Sequence, residues 1–249
     1  MKTGYIFRSI ALASLVLFFA GCHKKPTPEK PIETGTVTDV EGNIYNTVKI
    51  GDQWWMAENL KTKTYRNGQQ IFALSGGDAD SVWGTKTKGL YCSYYNDAAN
   101  VNKYGMLYNW YAVIDTSGIA PAGWHVATDD DWKKLEMWVG MSESDANGVN
   151  WRGAHEAELL KVKSPEDWTT YGSVWSSNKS GFSAKAGSCR LFDGRWGVPS
   201  FGGAGFWWTS SVRAASGEPY YRYMDYQKSK VFRYYGPKSY GMSIRCVKD

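Results

Sequence analysis

This sequence predicts an α+β fold, with short helices set between groups of small antiparallel strands. Three observations carry that expectation. Strand-like alternation opens the globular part, helix-like spacing occupies the middle, and aromatic alternating segments punctuated by turn residues fill the last third. Strands, then helices, then strands is the order of an α+β arrangement, not of repeated βα units.

The first 21 residues stand apart from that fold. Lys2 and Arg8 precede an uncharged, mostly apolar run from Ser9 to Ala20, followed by Gly21 and Cys22. A basic end, a short apolar core and small residues make a secretory signal. The run is shorter than the roughly 18 to 20 residues that span a bilayer. Residues 1–21 are therefore expected to be a leader, and 22–34, which includes "HKKPTPEKPIE", a charged, Pro-rich tether with almost nothing apolar to bury. Residues 35–249 read as one domain.

Within that domain, "TVTDVEGNIYNTVKIGDQWWMAENL" alternates over 37–40, turns at Glu41-Gly42-Asn43, alternates again over 44–50, turns at Gly51-Asp52 and resumes at 53–57. This predicts a β-meander. Residues 66–100 are polar and Gly-rich, and predict loops and short strands. Met106, Trp110 and Val113 recur at helical spacing, predicting a helix near 104–114.

"PAGWHVATDDDW" sets His125 ahead of Asp129, Asp130 and Asp131, and raises the question of a metal or acid/base site. A helix start explains the same residues. Thr128 is a good N-cap, and carboxylates in a first turn are favoured by the helix dipole. Asp131 stands where a side chain can reach back to the cap. Trp132, Leu135, Trp138 and Val139 then fall on one apolar face, while His125 sits in an extended segment opposite Trp124 and Val126. The helix start accounts for all three carboxylates, so no metal site is assigned. A further helix is expected within 154–162. Strands are expected at 182–192, 206–211, 220–225, 230–235 and 242–247, with a turn at Asp193-Gly194.

Composition narrows the function. Of the 29 basic residues, Lys2 and Arg8 leave with the leader, so 27 remain against 24 acidic ones. A surplus of +3, with no Lys/Arg run outside the tether, does not suggest a nucleic-acid partner. Aromatics make up 16% of the chain, with 13 Trp, enough for a large core and some surface rings. Three cysteines remain besides Cys22, and export implies an oxidising compartment, so one disulfide with one leftover thiol is expected. The absence of any C-x-x-C or Cys/His cluster argues against structural zinc.

Several stretches together resemble one family. "DVEGNIYNTVKIGDQWWMAENLKTKTY", "YGMLYNWYAV", "PAGWHVATDDDWKKLE", "GFSAKAGSCRLFDG", "FWWTSS" and "GMSIRCVKD" are similar, in order, to the Fibrobacter succinogenes major paralogous domain, found mostly in exported bacterial proteins of Bacteroidetes and Fibrobacter. The leader resembles a lipoprotein signal, which makes Cys22 the acylated residue and a lipid the link to the membrane. Attachment by acyl chains is worth about 0.8 kcal/mol per buried CH₂. His23 in place of Asp after that Cys resembles outer-membrane sorting. More distantly, "GWHV…DDDW", "WWTSS" and "SIRC" resemble the C-type lectin-like fold shared with formylglycine-generating enzymes, which implies small antiparallel sheets, flanking short helices and long aromatic-rich loops. The family often has Cys where Ala120 stands, and a small residue where Cys189 stands. That difference implies a Cys189–Cys246 disulfide, with Cys92–Cys246 as the alternative.

No enzyme is expected. Formylglycine-generating enzymes use a closely spaced Cys pair near the C-terminus, and only Cys246 is present there. "AHEAE" lacks the second His of a zinc-protease motif, and no Ser lies in a G-x-S-x-G elbow. Glu58, Asp193 and Asp225 are the carboxylates open to a glycosidase reading. "GEPY" at 217–220 and the lack of a later Trp-Asn-Asp do not match the lectin calcium loop, so neither metal nor cofactor is expected. The preferred expectation is a non-catalytic ligand-binding domain, with glycans as the candidate ligand; the alternative is a structural or adhesive surface module that binds another envelope or host protein. "FDGRW" offers Asp193, Arg195 and Trp196 at a hairpin tip. "YYRYMDY" sets Tyr220, Arg222 and Met224 on one face and Tyr221, Tyr223 and Asp225 on the other, and Arg222 and Asp225 complete the candidate ligand residues.

Overall fold

The computed structural model describes residues 1, 31–74, 82–163, 165, 167–172, 174–197 and 202–249. The chain divides into two compact units, Met1–Pro31 and Ile32–Asp249, and every element below belongs to the second. Most of the leader and tether, with Cys22, lies outside the described residues. Among those described, no helix is long and apolar enough to cross a membrane.

Strands β1 (Thr34–Thr38), β2 (Ile44–Ile50) and β3 (Gln53–Met56) form the expected meander. Gly42 and Gly51, at φ of 82° and 62°, make its two turns. The C-terminal strand β12 (Cys246–Lys248) pairs antiparallel with β3 on one side and with β7 (Trp124–Val126) on the other. The beginning and end of the unit thus meet in one sheet, ordered β1-β2-β3-β12-β7.

A second, four-stranded sheet runs β8-β11-β10-β9, with β8 at Asn150–Arg152, β9 at Ala204–Val212, β10 at Pro219–Asp225 and β11 at Val231–Tyr235. A third small sheet holds β4 (Phe72–Ala73), β5 (Leu90–Ser93) and β6 (Met106–Tyr108), with β4 and β5 parallel.

The helices are short: α1 (Val101–Tyr104), α2 (Trp110–Val113), α3 (Asp129–Trp138), α4 (Glu143–Asn147) and α5 (Glu156–Leu160). Helix α3 begins as the sequence predicts. The Thr128 hydroxyl accepts from the Asp131 N–H, and the Asp131 carboxylate accepts from the Thr128 N–H, a complete capping box.

Three expectations are corrected. No continuous helix covers 104–114. Gly105 stops α1 at φ 75°, where a Cβ would lie 2.7 Å from both the Leu60 carbonyl oxygen and Asn59 Cβ. Buried β6 follows, and Asn109 then caps α2 through the Ala112 N–H. Segment 182–192 forms no strand, only single bridges at Ala184, Ser188 and Arg190, because Ser183 and Ser188 turn to positive φ. Trp138 leaves the apolar face of α3. It is 54% exposed and lies across Gly51, where a Cβ would sit 2.9 Å from its ring.

The disulfide is corrected as well. Cys189 and Cys246 are both buried in one apolar cluster but are not bonded to each other, and Cys92 is not bonded to either. Burial pushes the Cys189 thiol pKa up to about 12 and Cys246 higher still. Such thiols are poor nucleophiles.

Helix α3 is fastened to the second sheet by a buried ionic cluster. Arg222 on β10 stands directly opposite Arg233 on β11. Asp129 lies between them, accepting from Arg222 Nη1 at 2.8 Å and from Arg233 Nε and Nη2 at 2.8 and 2.7 Å. Glu136, two turns further along the same face of α3, accepts from Arg222 Nε at 2.6 Å and from both terminal nitrogens of Arg152 at 2.9 and 2.8 Å. Burial resists the Asp129 charge, but the Arg233 hydrogen bonds and the adjacent Arg222 outweigh it and hold its carboxyl far below the usual range. Above this cluster Trp55, Trp132 and Phe182 meet edge to face with centroids 5.3 to 5.5 Å apart.

Glu136→Ala should cost about 3–5 kcal/mol in urea denaturation, because it leaves Arg152 buried with no carboxylate and Arg222 with Asp129 alone; a loss under about 1 kcal/mol would refute the cluster's role. Alkylation of the denatured but unreduced protein should modify both Cys189 and Cys246, as read by peptide mass. Protection of the pair would restore the disulfide.

Candidate functional site

The ionic cluster decides which residues of the second sheet face away from α3; of those, Phe206 and Tyr221 pack in part against the apolar core around Trp208. With Arg222, Met224 and Arg233 turned toward α3, strand alternation sends their neighbours to the opposite face. There the rings line up across four strands. Trp151 of β8 pairs with Phe232 of β11, Phe232 with Tyr223 of β10, and Tyr223 with Phe206 of β9. A second row holds Tyr234, Tyr221 and Trp208. Phe206 and Tyr223 stack at 4.5 Å, and Trp151 stands 5.1 Å from both Tyr223 and Phe232. Trp208 is fully buried, while the other six rings are half-buried.

This face has polar fittings. Tyr223 Oη donates to Asp225 Oδ2 at 3.0 Å, and burial followed by the Asp225 charge pushes the Tyr223 phenol pKa up. At the other end, Tyr240 lies against Gly236 beside Tyr221, and its ring is 6.3 Å from that of Phe192 in the 191–196 hairpin. The rings therefore run on to the hairpin tip, which carries Asp193 and Arg195.

The sequence-derived ligand residues divide accordingly. Asp193 and Arg195 do sit on a tip, as the turn signal predicts, and Arg195 Nη2 pairs with Asp193 Oδ2 at 2.6 Å while its side chain stays 79% exposed. Trp196 turns inward, against Tyr94 and Tyr95, with the Arg190 guanidinium 5.2 Å from its ring. Arg222 is corrected outright. It has no exposed surface, and Asp129 and Glu136 take up its guanidinium, so it cannot meet an external ligand. Asp225 is buried too, holding Tyr223 Oη and the Gln227 N–H. Trp151 and Phe232 were missed, although Phe232 lies in the predicted 230–235 strand. Its neighbours across the sheet come from distant sequence, and only the pairing register brings them together.

His125 answers the question raised by its neighbours. Nε2 lies 3.0 Å from Asp131 Oδ2 and Nδ1 lies 2.7 Å from Asp249 Oδ1. Asp131 also serves the capping box and accepts from Gln53 Nε2 at 2.7 Å. Asp129 is held by the arginines and Lys133, and Asp130 pairs with Lys133. Among the described residues no group of His, Cys, Asp and Glu is arranged to hold a metal. The histidine clasps the C-terminus to the start of α3. Of the possible catalytic carboxylates, Glu58 is engaged by the backbone and side-chain nitrogens of Asn46, each at 2.8 Å.

A cleft of about 510 Å³ lies elsewhere, between the β1–β2 turn and the third sheet. Its one carboxylate, Glu41, already accepts from the Lys63 N–H and from Thr64 Oγ1.

The Fibrobacter succinogenes major domain matches residues 48–248, and the chain belongs to that family. No curated protein and no solved structure matches it.

The clasp titrates. Burial disfavours the imidazolium, but hydrogen bonds to Asp249 and Asp131 outweigh it and raise the His125 pKa. A raised folded-state pKa stabilises fully below the unfolded value near ~6.5 and fades as pH climbs through the folded one. Wild type should therefore exceed His125→Gln in melting temperature at pH 6, and the gap should close by pH 9. A gap that widens with pH would refute the clasp.

Proposed function

We propose that this family member is a lipid-anchored cell-envelope protein whose domain binds glycans without transforming them. One observation carries the binding part: six half-buried aromatic rings form a continuous ladder on one sheet face and run on to a polar hairpin tip. Flat aromatic faces match the C–H faces of sugar rings, and tyrosine adds a hydroxyl at the edge. An extended polysaccharide suits a ladder of this kind better than a closed pocket does. Asp193 and Arg195 supply the hydrogen-bonding groups at its end. Phe206 and Tyr223 already lie parallel, which keeps their order cost on binding small.

The non-catalytic part rests on residues already committed to structure. Both nitrogens of His125 are engaged with carboxylates, and burial raises the pKa of Cys246 beyond use as a nucleophile. Anchoring rests on the leader and Cys22, and on the charged, Pro-rich stretch that follows. The outer membrane is the favoured destination, with His23 next to the lipidated residue. The meeting of β12 with the N-terminal meander in one sheet supports a C-type lectin-like arrangement for the domain.

Affinity electrophoresis against a panel of neutral and acidic polysaccharides tests the reading. At least one should retard the protein, and Tyr223→Ala with Trp151→Ala should remove that retardation while leaving the melting temperature within a few degrees. Binding that survives the double substitution would clear the ring face of the role. Co-purification with one envelope protein and no glycan retardation would make the same face a protein interface. Acylation is checked by mass: an unmodified Cys22 in the mature protein removes the anchor.

A further inference from the structure

A second aromatic surface lies past the end of β10, and its chemistry differs from the ring face. Lys161, directly after α5, is fully buried, with its Nζ donating to the backbone carbonyls of Asp225 and of Lys228, the latter at 2.8 Å. The same ammonium stands 4.8 Å from the Trp168 ring centroid. Trp168 is fixed in turn by its Nε1, which donates to the Ala184 carbonyl at 2.8 Å. Over this floor opens a groove of about 210 Å³, walled by Trp168, Trp175 and Tyr226 and rimmed by the hydroxyls of Thr170 and Ser176.

Two features separate it from ordinary surface. Trp175 is 72% exposed, and Tyr171, 51% exposed, leans edge-on against Tyr226 at 5.7 Å. Large rings held in the open at the mouth of a groove point to something that covers them. The charge is also one-sided. The described lining holds two ammonium groups, Lys161 and Lys163, and no carboxylate. Lys163 is exposed and makes no ion pair among the described residues. Burial pushes the Lys161 pKa down to about 8, against the pull of Asp225 and Glu158. An anion in the groove would add to that pull and favour the charged ammonium.

We propose that this groove is a second saccharide site, selective for a sugar residue bearing a carboxylate or sulfate. The sugar ring lies against Trp175 and Tyr226, its anionic group faces Lys163 with Lys161 beneath, and its hydroxyls meet Thr170 and Ser176. The assignment rests on the glycan-binding reading above and gives it a chemical class. Asp225 connects the two surfaces: its carboxylate holds Tyr223 of the ring face, and its carbonyl holds Lys161 under the groove.

The full lipoprotein, purified in detergent, is tested against two matched pairs: polygalacturonate with neutral galactan, and dextran sulfate with dextran. At least one acidic polymer should bind about tenfold tighter than its neutral partner, a difference of about 1.4 kcal/mol. Trp175→Ala and Lys163→Gln should each weaken that binding about tenfold, and Lys179→Gln, a surface lysine elsewhere, should not. The acidic polymer that binds tells carboxylate from sulfate. Neutral polymers bound as well as acidic ones, or acidic binding indifferent to Trp175 and Lys163, would overturn the groove and leave the ring face standing. No binding to any of the four, together with none in the wider panel, would remove both.

Discussion

Two arginines face each other across β10 and β11, and the arrangement stands because α3 brings an acid between them. Like charges at directly opposed positions repel. Asp129 converts the repulsion between Arg222 and Arg233 into a shared hydrogen-bonded cluster, and Glu136 ties in Arg152. The cluster sits where a slip of one residue would be ruinous. Moving β10 by a single position would bury Tyr221 and Tyr223 against α3 and turn Arg222 to solvent, leaving Asp129 and Glu136 buried with fewer partners. The ions thus set the parity of the sheet, and the parity sets which rings reach the surface.

Arginine does a different task where regular ladders are missing. Segment 182–192 lacks a strand partner, so its carbonyls need donors from side chains. Arg245, fully buried, gives Nη1 to the carbonyls of Met56 and Phe182, Nη2 to that of Ser183, and Nε to Asn59 Oδ1. No carboxylate is among these partners, and burial lowers its pKa. Arg190 serves the hairpin in the same way, bonding the Gly194 carbonyl and lying between Trp83 and Trp196. Five donors in a rigid fork suit loop carbonyls that arrive from several directions.

Much of this was legible in the sequence where the signal was local. The capping box at Thr128 and Asp131, the Gly turns of the meander, and strands β9 to β11 all rest on neighbours within a few residues. Legibility ended where tertiary contacts override local pattern. Met106, Trp110 and Val113 kept helical spacing, yet close approach of the backbone to Gly105 cut the segment into a helical turn, a strand and another turn. Alternation divided "YYRYMDY" into two faces, but nothing local says which face meets the core. Choosing Arg222 as a surface ligand residue was the natural inference for an arginine, and it failed because its carboxylates lie more than 80 residues away in sequence. The cysteines mislead for a related reason: a count of thiols carries no information about whether they meet in bonding geometry.

Asp225 ties the two proposed binding surfaces to one point of the sheet. It closes β10 and is itself buried, so it is not a contact residue. Its carboxylate orients a ring on the open face, and its carbonyl holds the ammonium under the groove. A rigid sheet end can position chemistry on two sides because one backbone unit serves both, with little entropy left to lose when a ligand arrives. The larger cleft by the β1–β2 turn has no such support: its acid is consumed by its own walls. Which strand residues face outward is consequently set by the buried ions, and the proposed binding face inherits its rings from that choice.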